Sequence, residues 1–190
     1  MQLLKERILK DGKLINSQIL KVDSFLNQQM DIGLFEKMAE EFWRLFGDCG
    51  VNKILTIEAS GIGVACLTGQ KFKCPVVFAK KNRSLNRSEN VYTSKVHSFT
   101  HNKTYDITVS KEYLHPNDRV LIIDDFLANG AALEGLVSLV RDAGAYLVGA
   151  GIVIEKAFQP GGEKIRSQGI RVESLARIAS MSIEDGIKFV

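Results

Sequence analysis

The stretch from residue 119 to residue 143 constrains the fold of this chain more than any other. It opens with the apolar run RVLIID at 119–124, passes through a second acid and several small residues, and ends in AALEGLVSLVRDA at 131–143. A bounded apolar run predicts a strand buried on both faces of a parallel sheet, and the apolar spacing after it predicts a helix. The stretch therefore predicts a strand-turn-helix unit of an α/β fold.

Similar units recur on both sides of this stretch. Strands are predicted at 53–58, 75–80 and 146–155, and a helix is predicted at 61–72. Buried runs separated by helices are typical of βαβ units. At 190 residues the chain is long enough for one domain with a sizeable core. We therefore expect a single α/β domain in which a parallel sheet is flanked by helices.

The two ends of the chain give weaker patterns. Apolar spacing predicts a short helix over 1–10 and a longer one over 31–46, which Asp31 would start and Gly47 would stop. The first 30 residues precede the first strand of the sheet and could cap one end of it. After residue 166 the pattern predicts one short strand, RVESLARI, followed by a tail.

A polar and basic segment at 81–110 interrupts the rhythm. It contains two alternating stretches, VYTSKVHSF and KTYDITVS, which could pair as a hairpin. A connection of this length inside a compact domain is usually functional or disordered.

Charge and cysteine content argue against several classes of protein. A net charge of +3 is too weak to argue for nucleic-acid binding. The three cysteines have no C-x-x-C spacing, which indicates reduced thiols in a cytoplasmic protein. No stretch approaches the roughly 20 apolar residues that span a bilayer, and the N-terminus does not resemble a signal peptide. We expect neither a membrane nor a nucleic acid as a partner.

The turn after strand 119–124 carries the strongest chemical pattern. Two adjacent carboxylates are followed by residues with little side chain, and this set consists of Asp124, Asp125, Ala128, Asn129, Gly130, Ala131 and Ala132. Strand ends in α/β sheets bind ligands, and backbone N–H groups at a helix N-terminus suit a phosphate. Carboxylates suit hydroxyl groups or a hydrated Mg²⁺ ion. The alternative is an acidic turn that only caps a helix.

The sequence VLIIDDFLANGAA at 120–132 resembles the signature with which type I phosphoribosyltransferases bind phosphoribosyl pyrophosphate (PRPP). The resemblance covers most of the chain, through LLKERILKDG, ILTIEASGI, VVFAKK and IVIEKAFQPGG. It implies a parallel-sheet fold with an N-terminal hood, formed by residues 1–30 and the C-terminal part, and a flexible lid at 81–110. It also implies a Mg²⁺-dependent transfer of phosphoribose to a purine, and a homodimer. A common family variant has threonine where Asn129 stands, so the resemblance implies the backbone cradle for the phosphate but not a side-chain hydroxyl contact at this position.

The resemblance implies roles around PRPP. Asp124 and Asp125 would face the ribose hydroxyls and, through water, Mg²⁺, while residues 128–132 would hold the 5′-phosphate. Pyrophosphate would meet the loop Glu58, Ala59, Ser60 and Gly61, and Lys80 and Lys81 would neutralise it. The alternatives are a plain strand-to-helix turn with Ser60 as N-cap and a solvated charged strand end. Lid candidates are Lys95, Ser98 and Tyr105; His97 and His101 are expected to face solvent.

Recognition of the base is assigned to four residues. Lysine only donates, so Lys156 could serve an oxygen but not an amino group at the C6 edge of a purine, which favours a 6-oxopurine over adenine. Phe158 could stack on the base or pack in the core. The resemblance places Leu20 and Asn27 at the base, and an amide at Asn27 could read the C2 oxygen of xanthine. The alternatives are that Lys156 pairs with Glu155 or another acid, and that Asn27 caps the helix near residue 31 or sits in a turn.

Two other functions remain open from the sequence. One is an enzyme of the same fold that acts on guanine, hypoxanthine or adenine. The other is a regulator that senses PRPP and binds nucleic acid, a class that usually carries an added DNA-binding segment or a broad basic face.

Overall fold

The description of the fold rests on a computed structural model, which describes residues 1–82, 90–98 and 103–190. In chain order the elements are α1 (Gln2–Asp11), β1 (Lys13–Leu14), β2 (Leu20–Lys21), a π-helical turn (Asp23–Asn27), α2 (Ile32–Phe46), β3 (Lys53–Ile57), α3 (Gly61–Phe72), β4 (Val76–Asn82), β5 (Val91–Ser98), β6 (Lys103–Ser110), β7 (Arg119–Leu127), α4 (Ala131–Asp142), β8 (Tyr146–Lys156), α5 (Gly161–Arg166), β9 (Val172–Ser182) and β10 (Gly186–Phe189).

The main sheet of the described residues has eight strands in the order β10-β9-β8-β7-β3-β4-β6-β5. The strands from β9 to β4 run parallel, whereas β10 at one edge and β6 and β5 at the other run antiparallel. The predicted parallel sheet flanked by helices is therefore confirmed for the centre of the sheet. The site residues of β7 lie in this centre, between β3 and β8.

Strand β7 is longer than the sequence predicts. It continues to Leu127 because Phe126 and Leu127 still pair with Ile154 and Glu155 of β8. The prediction that the strand ends at residue 124 is therefore wrong. Asp124 and Asp125 lie inside the strand, and the small residues that follow form the turn.

Helices cover both faces of the sheet. The stripe on α2 buries Phe35, Met38, Phe42 and Phe46 completely, as expected for an amphipathic helix. The helices α1, α2 and α3 share one apolar core, and α4 packs on the opposite face in a second core. The Asp31 side chain accepts a hydrogen bond from Leu34 N at 3.1 Å, which confirms the predicted start of α2.

The predicted hairpin within 81–110 is confirmed. Strands β5 and β6 pair antiparallel, and β6 joins the main sheet through β4. The buried side chains of Val96 and Ile107 contact the backbone of α4 at Gly135, where a Cβ would lie 2.6 Å and 3.0 Å from their methyl carbons. The described part of this segment is therefore packed strand. Residues 83–89 and 99–102, including His101, lie outside the described residues.

The end of the chain differs from the prediction. Residues after 170 form a hairpin of β9 and β10, and a short helix, α5, precedes it. The predicted short strand and tail were wrong because β9 continues to Ser182 and β10 pairs back onto it. A six-residue helix is too short to produce a readable apolar period. No described helix is both long enough and apolar enough to cross a membrane.

Candidate active site

Two adjacent carboxyl groups lie at the centre of the sheet. Asp124 is 4% exposed, Asp125 is partly exposed, and Asp125 N donates a hydrogen bond to Asp124 Oδ1 at 3.0 Å. Burial raises the pKa of Asp124 well above its ordinary value of 3.8, and the charge of Asp125 raises it further. Burial also raises the pKa of Asp125. A cation or hydroxyl groups at this position would favour the ionised pair.

The loop after β3 packs directly against these acids. A side chain at Gly61 would lie 2.3 Å from Thr56 Oγ1 and 3.2 Å from Asp124 Oδ1, so only glycine fits here. Among the described residues Thr56 Oγ1 is completely buried and has no hydrogen-bond partner. Because buried hydroxyls are normally satisfied, this atom marks a place where a polar ligand or water would be stabilised.

The rest of this loop is tied to β4. Glu58 Oε1 accepts a hydrogen bond from Lys81 N at 2.5 Å, and a cis peptide joins Glu58 to Ala59. Ala59 is exposed, and Ser60 precedes α3 without a capping hydrogen bond from its side chain. The structure therefore does not support the alternative in which Ser60 acts as a side-chain cap.

The structure separates the two predicted lysines. Burial raises the pKa of both acids, and the positive charge of Lys81 partly opposes this rise. The Nζ of Lys81 lies 5.8 Å from the ring centroid of Tyr105. Burial and the charge of Asp124 raise the pKa of Tyr105. Lys80 is exposed, and alternation along the strand turns it to the other face. Lys81 and Tyr105 therefore approach the acids, whereas Lys80 does not.

A cavity of about 170 Å³ lies at the predicted phosphate loop. It is lined by residues 126–133 together with Val96, His97 and Tyr105 of the hairpin. His97 is half-buried, lines the cavity and contacts Thr104 Oγ1 at 3.1 Å, so it is only partly exposed to solvent. Lys95 is exposed on β5, and the side chain of Ser98 lies outside the described residues.

The phosphate loop is closed by backbone contacts. Gly130 has a φ of +89°, which favours glycine, and it leads into α4. Asn129 Oδ1 accepts a hydrogen bond from Ala131 N at 2.9 Å. This N–H group, which the sequence assigns to a phosphate, is therefore held by Asn129. Ala128 and Ala132 also line the cavity.

At the end of β8, Lys156 is held towards the N-terminal segment. Its Nζ donates a hydrogen bond to Gln18 O at 2.6 Å and lies 5.7 Å from the ring centroid of Phe126. Burial lowers the pKa of Lys156. Glu155 pairs instead with Arg166 and Arg177, so the structure does not support a Lys156–Glu155 pair.

The other three predicted base residues differ in their burial and contacts. Asn27 ends the π-helical turn, and its Oδ1 is buried without a hydrogen-bond partner among the described residues. Asp31 caps α2, so Asn27 does not. Leu20 is buried in β2 and lies close to Gly12. Phe158 is 37% exposed, which excludes the alternative that it packs in the core.

Sequence reasoning missed several contributors. Gln18 acts through its backbone carbonyl, which leaves no residue-type signal. Thr56 lies within a predicted strand, and its position before the glycine loop is the only hint in the sequence. Gly161 contacts the phosphate loop from α5, an element that was not predicted.

Comparisons with known proteins place these features in a family context. A family model described as phosphoribosyl transferase domain matches residues 33–170. The chain is similar to a xanthine phosphoribosyltransferase of Lachnoclostridium phytofermentans, with 61% identity over 98% of this chain and 96% of the relative. It is also similar to a xanthine phosphoribosyltransferase of Ruminiclostridium cellulolyticum, with 57% identity over 95% of each chain.

Solved structures agree in fold. The adenine phosphoribosyltransferase of Giardia lamblia, complexed with 9-deazaadenine, aligns with a TM-score of 0.78 over 92% of this chain and 97% of that chain. The enzyme of Trypanosoma brucei, in complex with AMP, pyrophosphate and ribose-5-phosphate, aligns with a TM-score of 0.77 over 92% of this chain and 79% of that chain. At 20% and 17% identity these likenesses concern the fold alone.

Proposed function

Because the chain belongs to the phosphoribosyltransferase family, we propose that it transfers the phosphoribosyl group of PRPP to xanthine in purine salvage. The products are xanthosine 5′-monophosphate and pyrophosphate. The observation that carries this conclusion is the 61% identity, over nearly the whole chain, to a relative named for this reaction. The buried acids beside the small-residue loop agree with it.

At the sugar, Asp124 and Asp125 accept hydrogen bonds from the two ribose hydroxyls. Their negative charge stabilises the positive charge that develops on the ribose as pyrophosphate leaves. Residues 128–132 and the start of α4 hold the 5′-phosphate, which fixes the sugar against the acids. Support for this assignment comes from the cavity that lies beside the acids and from the absence of bulky side chains in the loop.

The pyrophosphate end is assigned to the loop of Glu58, Ala59, Ser60 and Gly61 together with the lysines of β4. Lys81 is the stronger candidate, because its positive charge influences the pKa of both acids and its backbone N–H donates a hydrogen bond to Glu58. Lys80 would need a rearrangement of the strand to reach the same anion.

The donor set suits a magnesium ion that arrives with PRPP. No cluster of three or more His, Cys, Asp or Glu that could hold a metal occurs within the described residues. A hydrated Mg²⁺ prefers one or two carboxylates plus phosphate oxygens, and Asp124 and Asp125 fit such a partial site. Bound there, the ion would neutralise charge on the leaving pyrophosphate. The two carboxylates would hold it through water, and its positive charge would favour their ionised forms.

The base is assigned to the end of β8 and the N-terminal segment. Lys156 donates to the C6 oxygen. The amide of Asn27 pairs with the C2 edge of xanthine: its Nδ2 donates to the C2 oxygen, and its Oδ1, which has no partner in the described structure, accepts from a neighbouring ring N–H. Leu20 would border the base and Phe158 would stack on it. Hypoxanthine lacks the C2 oxygen and would leave the amide of Asn27 unpaired, which disfavours its binding.

Four broader assignments complete the proposal. Residues 1–190 form one domain, with residues 1–30 and the C-terminal part as the hood and 81–110 as a lid that excludes water from the reaction. The enzyme works as a homodimer, which sedimentation equilibrium tests. It is cytoplasmic, in agreement with the three free cysteines, Cys49, Cys66 and Cys74. Its substrates are small molecules, and it needs neither nucleic acid nor a membrane.

A substrate screen tests the proposed function. Xanthine, guanine, hypoxanthine and adenine are each incubated with PRPP and Mg²⁺, and nucleotide formation is followed by ultraviolet absorbance and pyrophosphate release. We expect the highest kcat/KM with xanthine. If adenine is the best substrate, the assignment of Lys156 is wrong. If no base releases pyrophosphate and the protein binds RNA or DNA tightly, it is a regulator and not an enzyme.

A further inference from the structure

The short helix α5 packs against the phosphate loop without any intervening side chain. Gly161 N donates a hydrogen bond to Ala128 O at 3.1 Å. A Cβ at Gly161 would lie 2.3 Å from that oxygen and 2.5 Å from Gly130 N. The reverse contact is also close, since a Cβ at Gly130 would lie 3.0 Å from Gly161 Cα. The backbones of α5 and of the phosphate loop therefore fit each other directly.

The other end of α5 is fixed by a buried ion pair. Arg166 donates two parallel hydrogen bonds to Glu155, at 2.7 Å and 2.8 Å, and Glu155 is 1% exposed. Glu155 also accepts from Ser174 Oγ at 2.5 Å and pairs with Arg177 at 3.2 Å. Burial alone would raise the pKa of Glu155, but the hydrogen bonds from Arg166 and Ser174 outweigh it and lower that pKa.

Arg166 is held from a second side as well. It donates to Val172 O of β9 at 3.1 Å and 3.3 Å. Gly162 allows the helix to lie on the ion pair, because a Cβ there would lie 2.2 Å from Glu155 Oε1 and 2.6 Å from Arg166 Nη1. A bidentate arginine–carboxylate pair fixes orientation as well as distance, which a lysine in the same place would not do.

We propose that Arg166 is a positioning residue for the 5′-phosphate, acting through α5, which its pair with Glu155 presses against the phosphate loop. The inference rests on the proposed function, in which that loop holds the phosphate. Small residues let the backbone of the loop approach a ligand closely, but they do little to make the loop rigid. The anchored helix supplies the missing support from outside the cavity.

The same geometry separates this effect from recognition of the base. Glu155 and Lys156 are consecutive in β8 and so point to opposite faces of the sheet. Glu155 contacts α5 and β9, whereas Lys156 contacts Gln18 and Phe126. Loss of the Arg166 pair should therefore disturb binding of the phosphate more than binding of the base.

The test uses three variants of the full chain, Arg166→Met, Arg166→Lys and Gly161→Ala. Calorimetry gives the dissociation constant for ribose 5-phosphate, and initial rates give KM for PRPP, KM for xanthine and kcat. We expect Arg166→Met to raise the dissociation constant and KM for PRPP about tenfold, with kcat and KM for xanthine changed less than about twofold. Arg166→Lys should restore part of the loss, and Gly161→Ala should show the same pattern more strongly.

Two control variants lie elsewhere in the molecule. Arg44→Met removes an exposed bidentate pair with Glu41, and Gly33→Ala places a methyl group in an open position of α2. Both should leave all four quantities unchanged.

Some results would overturn the inference. These are unchanged ribose 5-phosphate binding in Arg166→Met and Gly161→Ala, and an equal rise of KM for PRPP and for xanthine. If Arg166→Met does not fold, Arg166→Lys and Gly161→Ala decide the question. If the wild type acts on no base, the proposed function fails, and the ribose 5-phosphate measurement still judges the role of Arg166.

Discussion

At the proposed phosphate end of the site the backbone of small residues lines the cavity, whereas the proposed base end depends on single side chains from distant parts of the chain. The phosphate loop occupies consecutive positions 128–132 and is backed by the backbone of α5. Lys156 instead reaches a carbonyl 138 positions away in the sequence, at Gln18. The buried acids belong to β7, the strand that leads into the phosphate loop.

This difference suggests a division of labour. A backbone cradle accepts any ligand with a phosphate at the right place, because backbone N–H groups carry no sequence-specific chemistry. Donor and acceptor side chains discriminate between bases, because a mismatched base leaves a buried polar group unpaired. Variants should therefore fall into three classes: those that affect the acids, those that affect phosphate binding and those that affect the choice of base.

The largest effect is expected at the two acids of β7. Asp124→Asn or Asp125→Asn should lower kcat at least about a hundredfold, because a neutral amide cannot stabilise the developing positive charge. KM for xanthine should change little. Steady-state kinetics and thermal unfolding check this, with the exposed Asp142→Asn as a control. Near-normal turnover in either variant would remove the acids from the mechanism.

The second-largest effect tests whether binding of the base and binding of the phosphate depend on different residues. Lys156→Met should raise KM for xanthine by about tenfold or more, because a buried polar edge of the base loses its donor. KM for PRPP should stay within about twofold, since the phosphate loop is untouched. The exposed Lys37→Met on α2 is the matched control. A comparable rise in both KM values would show that the two ends are not separate.

The third effect concerns the choice among 6-oxopurines. Asn27→Ala should lower the ratio of kcat/KM for xanthine over hypoxanthine about tenfold, because it removes the group assigned to the C2 oxygen. Since Asn27 Oδ1 has no partner in the described structure, the variant should cost little stability. The adjacent exposed amide, Gln28→Ala, serves as the control. An unchanged ratio would assign the C2 edge to another residue.

A fourth prediction uses the pH dependence of stability. The pKa of Asp124 is raised in the folded state, so the folded protein keeps a proton that the unfolded chain has lost, and stability falls as pH rises above 3.8. Asp124→Asn removes this loss. The free energy of unfolding of the variant, minus that of the wild type, should increase with pH by about 1 kcal/mol or more. Urea unfolding across a pH series measures the difference. A difference that does not depend on pH would contradict a raised pKa of Asp124 in the folded protein.

The smallest effect is expected at the exposed edge of the base site. Phe158→Leu should raise KM for xanthine only about threefold. Stacking on one face of a base contributes little binding free energy beyond that of the apolar area it covers. KM for PRPP should not change. A rise as large as that of Lys156→Met would mean that Phe158 closes over the base in the complex.

The sequence allowed much of the phosphate end to be predicted. The strand, the two acids and the small-residue turn are contiguous, so their order in the chain is also their order in space. The exact end of β7 could not be predicted, because pairing of Phe126 and Leu127 with β8 overrides the local pattern. Nor could the hydrogen bond from Ala131 N to Asn129, which depends on the side-chain conformation in the turn.

The base end was predictable only through the family resemblance. Nothing local to Lys156 distinguishes a donor to the base from a surface lysine, and only the folded chain brings it to Gln18. The unpaired Oδ1 of Asn27 is likewise a property of the packed π-helical turn. The helix α5 escaped prediction altogether, although it carries Gly161 and Arg166.

The alternation of Glu155 and Lys156 at the end of β8 has a consequence for changes in chain length. Deleting one residue between Gly149 and Glu155 would exchange their directions, so that the acid faced the hood and the lysine faced α5. A deletion at Val148 should be far milder. Val148 forms a bulge in the pairing with β7, because Val120 pairs with Leu147 and Leu121 pairs with Gly149. Natural variation in the length of this strand should therefore concentrate at Val148.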